Sequence, residues 1–226
     1  MSTAVVSPTP SRLSAPEIFR WRNALFVIFA ACGISISSFA ARIPTISLAL
    51  SLSTGEVGLL LSAMALGSIV GLLAAGHIVS IFGARRTVVV AFSLLATSLT
   101  VAGLGIALFG SFALSFTALI VLGSTMGICD VSMNISGAAN EQALGRTVMP
   151  VYHAFFSIGT VIGAGLGALA EALHIPLDIH VTVLAVLTFT GVLLASRFLL
   201  SEQGPTTAGE PGHPASTWRH PTRHLA

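Results

Sequence analysis

A carboxyl group lies deep within one of the apolar stretches of this 226-residue sequence. Asp130 is followed four residues later by Asn134, and His153 and Ser157 form a second polar pair at the same spacing. Residues four apart share one face of an α-helix, so each pair projects its polar groups in one direction. A carboxyl group beside an amide, an imidazole and a hydroxyl can exchange a proton and hydrogen-bond a polar solute.

The stretches that carry these residues are long enough to cross a membrane, which takes about 20 apolar residues per helix. Hydrophobic residues make up 54% of the chain and charged residues only 8%. Soluble domains have roughly a quarter of their residues charged, so a soluble globular protein is excluded. The sequence predicts an all-α polytopic membrane protein with six transmembrane helices, at residues 23–41, 56–79, 87–107, 111–139, 151–173 and 179–200.

The charged and polar residues outside these stretches predict the topology. Residues 1–22 and 201–226 are rich in residues typical of disorder, and we expect two disordered cytoplasmic ends around a membrane domain at 23–200. Nine of the ten arginines fall on one side of the predicted spans, and only Arg42 falls on the other. The positive-inside rule therefore predicts a multi-pass protein of the plasma (inner) membrane with both termini cytoplasmic.

The fourth predicted span carries a polar stripe. On a helical wheel, two polar residues and three glycines fall within about 60° of Asp130: Asn134, Glu141, Gly123, Gly127 and Gly137. This alignment predicts that the polar residues of the span share one face. A charged carboxylate at this depth costs about 2.5 to 3.5 kcal/mol, so Asp130 must be paired, hydrated or protonated. We interpret it as a proton or substrate site, with a structural hydrogen bond to a neighbouring helix as the alternative.

Span five returns antiparallel after a short loop. Counting from the loop places Ser157 near the level of Asp130 and His153 near that of Asn134, which predicts a polar cavity between the two spans. A histidine that only meets lipid headgroups remains the alternative for His153. Arg42 is expected either to reach the outer membrane interface or to attract an anionic or hydroxylated solute at the cavity entrance.

Glycines repeat at four-residue spacing in three spans, and this pattern predicts close helix packing. The two cysteines are expected to be small packing residues, without a disulfide or a metal ligand set. The sequence calls for no cofactor and no metal, and a formal charge of +2 is too small and scattered for nucleic-acid binding. The repeated glycines are Gly67 and Gly71, Gly123 and Gly127, and Gly159, Gly163 and Gly167.

The loop between spans two and three resembles a signature of the major facilitator superfamily, G-x-x-x-D-R-x-G-R-R. Gly76, Gly83 and Arg85 match the pattern, whereas Ser80 stands where the family has an acid. The resemblance implies a conformational latch at the cytoplasmic helix ends. Because the acid is missing, we expect Arg85 to pair instead with Glu141 at the inner end of span four.

Four further segments resemble the sugar-permease-like members related to the fucose-proton symporters. They are Ala-Arg-Ile-Pro at 41–44, Leu-Ser-Thr-Gly-Glu-Val-Gly at 52–58, Asp-Val-Ser-Met-Asn at 130–134 and His-Ala-Phe-Phe-Ser-Ile-Gly at 153–159. This resemblance implies Asp130 as the proton-coupling residue. It also implies that a small polar solute, such as a sugar, is bound by Asn134, His153, Ser157 and Arg42.

Three positions depart from the patterns of related transporters and narrow the class of transport that we expect. Ala40 stands where the fucose symporters have a second acid, so fucose itself is not implied. Gly123 stands where drug exporters have an arginine, and Gly163-Ala164 where antiporters have Gly-Pro. We therefore favour solute uptake coupled to protons, with drug or metabolite efflux by proton antiport as the alternative.

Six helices correspond to one half of such a transporter, built from two inverted three-helix repeats. The chain is thus expected to need a second six-helix half besides solute, protons and the lipid bilayer. That half comes from a second copy or a separate chain, or else the gene is truncated, which the Pro- and His-rich tail favours. A truncated, non-transporting membrane protein or scaffold is the remaining alternative.

An enzyme is not expected. Residues 134–137, Asn-Ile-Ser-Gly, resemble the G-x-S-G motif of intramembrane serine proteases, with His180 as a candidate base. Ser136 falls near the cytoplasmic end of its span and His180 near the outer end of another. A nucleophile and its base must lie within about 3 Å, so this pair cannot act together.

Overall fold

The computed structural model describes residues 13–200, which form seven helices. All of them except the short α2 are long and apolar enough to cross a membrane, which confirms the predicted all-α polytopic class. The helices are α1 (Ala15–Ala40), α2 (Ile43–Ala49), α3 (Thr54–Phe82), α4 (Ala84–Ala107), α5 (Phe112–Leu144), α6 (Met149–Ala172) and α7 (Leu177–Ser196).

The first helix begins at Ala15, eight residues before the predicted start of the first span. Ser14 and Glu17 explain the difference, because the backbone amide and the hydroxyl of Ser14 both donate to Glu17 Oε2, at 2.9 and 2.7 Å. This capping pair and the following proline favour a helix start here. Residues 15–22 are therefore helical, while the expectations for 1–12 and 201–226 lie outside the described residues.

Two helix pairs make the most extensive contacts, α3 with α5 and α1 with α6. Helix α4 packs against α5 and α7, and α7 also contacts α1. The first three long helices, α1, α3 and α4, correspond in order to the last three, α5, α6 and α7. Under this correspondence the α3–α5 contact is equivalent to the α6–α1 contact, and the α4–α5 contact to the α7–α1 contact. This correspondence is the one expected of two related three-helix units.

The repeated glycines lie at these two major contacts, as predicted. A Cβ atom on Gly67 would overlap the carbonyl oxygen of Ile120, and one on Gly123 would overlap that of Met64. Because the backbones of α3 and α5 touch directly, no side chain fits between them. The same close approach occurs between α6 and α1, at Gly159 against Ala30, Gly163 against Ile34 and Gly167 against Ser38.

The cysteines occupy the centre of the bundle, where α1 crosses α5. Cys32 and Cys129 are both free and buried, and their sulfur atoms lie 3.7 Å apart. Their predicted packing role is confirmed, although nothing in the sequence indicated that they meet. This contact fixes the relative height of the two helices, since it places Cys32 at the level of Asp130.

Candidate functional site

The candidate site begins with Asp130 and Asn134 on α5. Asn134 Nδ2 donates to the backbone oxygen of Asp130 at 2.8 Å and to its carboxylate Oδ1 at 3.2 Å. Both side chains are partly exposed, so the amide holds the carboxylate in place without closing the site. Within residues 13–200, no donor reaches Asn134 Oδ1, which leaves this oxygen open to a solute.

The polar stripe of α5 reaches the surface between α3 and α6. On the N-terminal side of Asp130, Gly127 meets the α3 backbone, and on its C-terminal side Gly137 meets the side chains of Met149 and Tyr152 on α6. Asp130 lies between these two contacts, which explains its partial exposure. The expectation that all polar residues of this helix share the stripe is wrong, because a second set is buried against the bundle: Ser132, Ser136 and Asn140.

Helix α6 adds His153 to the same surface. The His153 ring meets Phe29 edge-on, with 5.4 Å between ring centroids, and His153 lies near Asp130. Ser157 follows one turn farther along α6, exposed, and donates to the backbone oxygen of His153 at 3.1 Å. The structure thus brings an acid, an amide and an imidazole together, with a hydroxyl one helical turn away.

Arg42 does not belong to this surface. It lies ten residues beyond Cys32 along the chain, about 15 Å from the level of Asp130 if the helix continues. Its side chain is only 3% exposed, with Nε 2.8 Å from Glu171 Oε2 and Nη2 donating to the Ile175 carbonyl at 2.9 Å. Its guanidinium is therefore enclosed by α6 and the α6–α7 turn within the described residues. A buried guanidinium needs such partners, and they join the end of α1 to the α6–α7 turn.

The residues expected to form a latch are not brought together. Glu141 Oε2 accepts from the backbone amides of Val148 and Met149, at 2.7 and 2.6 Å, and so caps the start of α6. The one ion pair in the described part of the chain is that of Arg42, so the expected pair between Arg85 and Glu141 is not formed.

The two glycines of the expected latch have different surroundings. Gly83 makes the turn between α3 and α4 at a φ of +75°, which glycine adopts without strain. Gly76 lies on the exposed face of α3 with open space beside it. Gly83 therefore has a conformational reason to be glycine in this structure, whereas no contact requires glycine at position 76.

Sequence reasoning missed a buried hydrogen-bond network at the end of the bundle where α1 begins and α5 ends. Trp21 Nε1 donates to Ser136 Oγ at 2.9 Å, and the Tyr152 hydroxyl donates to Asn140 Oδ1 at 2.6 Å. Asn140 Nδ2 completes the network by donating to the Ile18 carbonyl at 3.1 Å. The network fixes α1, α5 and α6 beneath the polar surface. The four-residue spacing of Ser136 and Asn140 was the one available signal.

The contacts of Ser136 and His180 test whether these two residues can form a protease site. Ser136 accepts from Trp21, while His180 pairs with Ser38 at 3.1 Å near the opposite end of α1. Counting along α5 and α1 from the cysteine contact separates Ser136 from Ser38 by about 20 Å. The serine and the histidine therefore do not form a protease pair. Within residues 13–200, no three His, Cys, Asp or Glu residues are placed to hold a metal ion.

A six-helix bundle of two related triplets, with a polar surface at membrane depth, is the architecture of a solute-transporter domain. Comparison with known families agrees. The family described as the Major Facilitator Superfamily matches residues 24–225, and the chain belongs to this family of membrane transporters. The predicted resemblance to the major facilitator superfamily is therefore confirmed, and membrane transport of a solute is the function that it supports.

Two curated relatives are similar over part of their length. An uncharacterized MFS-type transporter of Yersinia pestis is 32% identical over 124 residues, which cover 54% of this chain and 31% of the relative. An uncharacterized transporter of Sinorhizobium fredii is 36% identical over 95 residues, 42% of this chain and 25% of the relative. The matches thus span about a third or less of each relative. No solved structure is significantly similar to the chain.

Proposed function

We propose that this chain supplies one half of a proton-coupled transporter for a sugar or another polar metabolite. Asp130 carries the coupled proton, and Asn134, His153 and Ser157 hydrogen-bond the solute. The observation that carries the proposal is a partly exposed carboxylate at membrane depth, held by Asn134 and lying close to His153. A charged carboxylate at membrane depth is energetically unfavourable, and acids at such positions commonly have a function.

The chemistry follows from the two protonation states of Asp130. In one state Asp130 is a carboxylate that accepts from the Asn134 amide, and in the other it is a neutral carboxyl group. The group takes up a proton on one side of the membrane and releases it on the other. In the neutral state Asp130 also gains a hydroxyl donor for the solute.

The proposal includes a second six-helix half over the polar surface. Only 22% of the apolar stretch of α3 and of α6 is buried, against 61% for α1. These two helices flank Asp130, so the least covered helices border the most polar surface. Lipid cannot satisfy polar groups, and a second half facing α3 and α6 would enclose them.

The direction of transport and the location in the plasma membrane are part of the same proposal. The arginine distribution favours cytoplasmic termini in the plasma membrane, and the absence of the exporter residues at 123 and 164 favours uptake. Arg42 is left with a structural role, because two of its three nitrogens are already bound.

Solute-induced proton uptake tests this function. The chain, with its second half where that is a separate protein, is placed in lightly buffered vesicles, and external pH is followed as candidate sugars and polar metabolites are added. We expect one solute class to raise the external pH with the natural sequence and with the control D178N, but not with D130N. Equal proton uptake by D130N would contradict the proposal.

A further inference from the structure

A cavity lies on the side of the bundle away from the polar surface. It has a volume of about 670 Å³ and is formed by the inner ends of α3, α4 and α7, with α5 behind them. This size is within the range of ligand-binding cavities. Ile128 contributes to its wall, and Asp130 points about 200° around α5 from Ile128, so the cavity and the polar surface face different ways.

The walls of this cleft are apolar and open to the hydrocarbon of the membrane. Several of the lining side chains are large and exposed, because nothing in the described part of the chain covers them. The main apolar lining residues are Ile78, Phe82, Val90, Leu94, Ile128 and Leu193. Such a surface fits a hydrocarbon chain better than a soluble metabolite.

Three arginines line the inner end of the same cleft. Arg85 and Arg86 come from the start of α4 and Arg197 from the end of α7, and all three are exposed. No acidic residue lines the cleft, and within residues 13–200 none of the three forms an ion pair. Three positive charges around one opening repel one another, and an anion placed among them relieves that repulsion.

We propose that this cleft binds one anionic phospholipid. An acyl chain lies between α3, α4 and α7, and the phosphate lies among the three guanidinium groups. Along α4, the distance from Arg85 to Leu94 is about 14 Å, close to half the roughly 30 Å hydrocarbon core of a bilayer. The charged and apolar parts of the site are therefore spaced like the headgroup and the acyl chain of a lipid in one leaflet.

The start of α4 strengthens the phosphate end of the site. Gly83 precedes the helix and offers no side-chain cap, so the first backbone amides of α4 are not satisfied by a neighbouring side chain. Unpaired amides at a helix start favour a phosphate, and here they lie beside Arg85 and Arg86. The arginines and the cleft carry the proposal, which does not depend on proton coupling at Asp130.

Lipid titration followed by native mass spectrometry tests the site. The full-length chain in mild detergent is titrated with phosphatidylglycerol, with phosphatidylcholine of identical acyl chains and with soluble glycerol phosphate. We expect phosphatidylglycerol to bind at least tenfold more tightly than phosphatidylcholine, and glycerol phosphate not to compete. Equal binding of the two lipids would overturn the proposal, and effective competition by glycerol phosphate would reveal an anion site instead of a lipid site.

Matched triple variants locate the binding. An arginine near a membrane surface contributes roughly fivefold to the affinity for anionic lipid, so R85Q/R86Q/R197Q should weaken phosphatidylglycerol binding on the order of a hundredfold. R20Q/R22Q/R146Q removes the same charge from the same end of the bundle and should retain the tight site. Equal losses in the two variants would mean that only net charge matters, which contradicts the proposal.

A third variant tests the acyl-chain part and keeps all the arginines. Val90 is exposed in the cleft, so V90W fills the space without burying a large side chain in the core. We expect V90W to weaken phosphatidylglycerol binding at least tenfold, while its thermal unfolding in lipid-free detergent stays that of the natural sequence. Unchanged lipid affinity in V90W would show that no acyl chain occupies the cleft.

Discussion

Asp130 and Asn134 act as one unit. The Asn134 amide donates to the carboxylate of Asp130 and to its backbone oxygen, so it fixes the acid and, in the proposed function, has only its own oxygen left for a solute. Ser157 differs, because its hydroxyl donates to its own helix backbone and, within residues 13–200, hydrogen-bonds no titrating side chain. Two residues that the sequence assigned to the same role therefore have different expected effects.

This difference gives a prediction for transport kinetics. S157A removes one proposed solute hydrogen bond and should raise KM about two- to thirteenfold, because one such bond is worth roughly 0.5 to 1.5 kcal/mol, with the pH dependence unchanged. N134A should raise KM and also shift the pH dependence of transport, because it changes the surroundings of Asp130. Transport rates measured over pH 5 to 8 distinguish the two. A shifted pH profile in S157A, or an unshifted one in N134A, would contradict these roles.

At the scale of the helices, backbone contacts at glycine hold the bundle together. Gly71 of α3 lies against Ser124 of α5, and an added Cβ would overlap the Ser124 carbonyl oxygen. Gly76, five residues later in the same helix, has open space around its Cβ position. Glycine is therefore required at the first position by packing and not at the second.

A pair of alanine substitutions in α3 tests this packing. G71A should lower the free energy of unfolding by about 1 to 3 kcal/mol, because the backbones of α3 and α5 must separate. G76A should leave stability unchanged or raise it slightly, because alanine is the better helix former by about 1 kcal/mol. Thermal unfolding in one detergent compares them. If G76A proved as destabilising as G71A, the α3–α5 contact would not be the cause.

How far the sequence predicts the molecule depends on the range of the interactions. Six spans follow from apolar length, and the glycine contacts from four-residue spacing, because both are local to one helix. The partners of Arg42 and the bond from Trp21 to Ser136 were not predictable, since they join residues more than a hundred positions apart. Such contacts depend on the rotation and relative height of the helices, which cannot be predicted from a single sequence.

For the whole molecule, the arginine distribution predicts the orientation. Leu173 at the end of α6 and Arg146 in the α5–α6 loop are both exposed, and they lie at opposite ends of the bundle. A cysteine at Leu173 should react with a membrane-impermeant thiol reagent added to intact cells, and one at Arg146 only after the cells are opened. The natural Cys32 and Cys129 are buried and give little background. The reverse pattern would invert the topology.

The central claim is that Asp130 couples proton movement to solute movement, and comparing two transport modes on one variant tests it most directly. In vesicles containing the complete transporter, D130N mimics the neutral carboxyl group. We predict that it exchanges labelled solute across the membrane at no less than about a tenth of the natural rate, yet does not accumulate solute when a pH gradient is imposed. Accumulation by D130N at the natural level would contradict the claim and leave Asp130 as a structural hydrogen-bonding group.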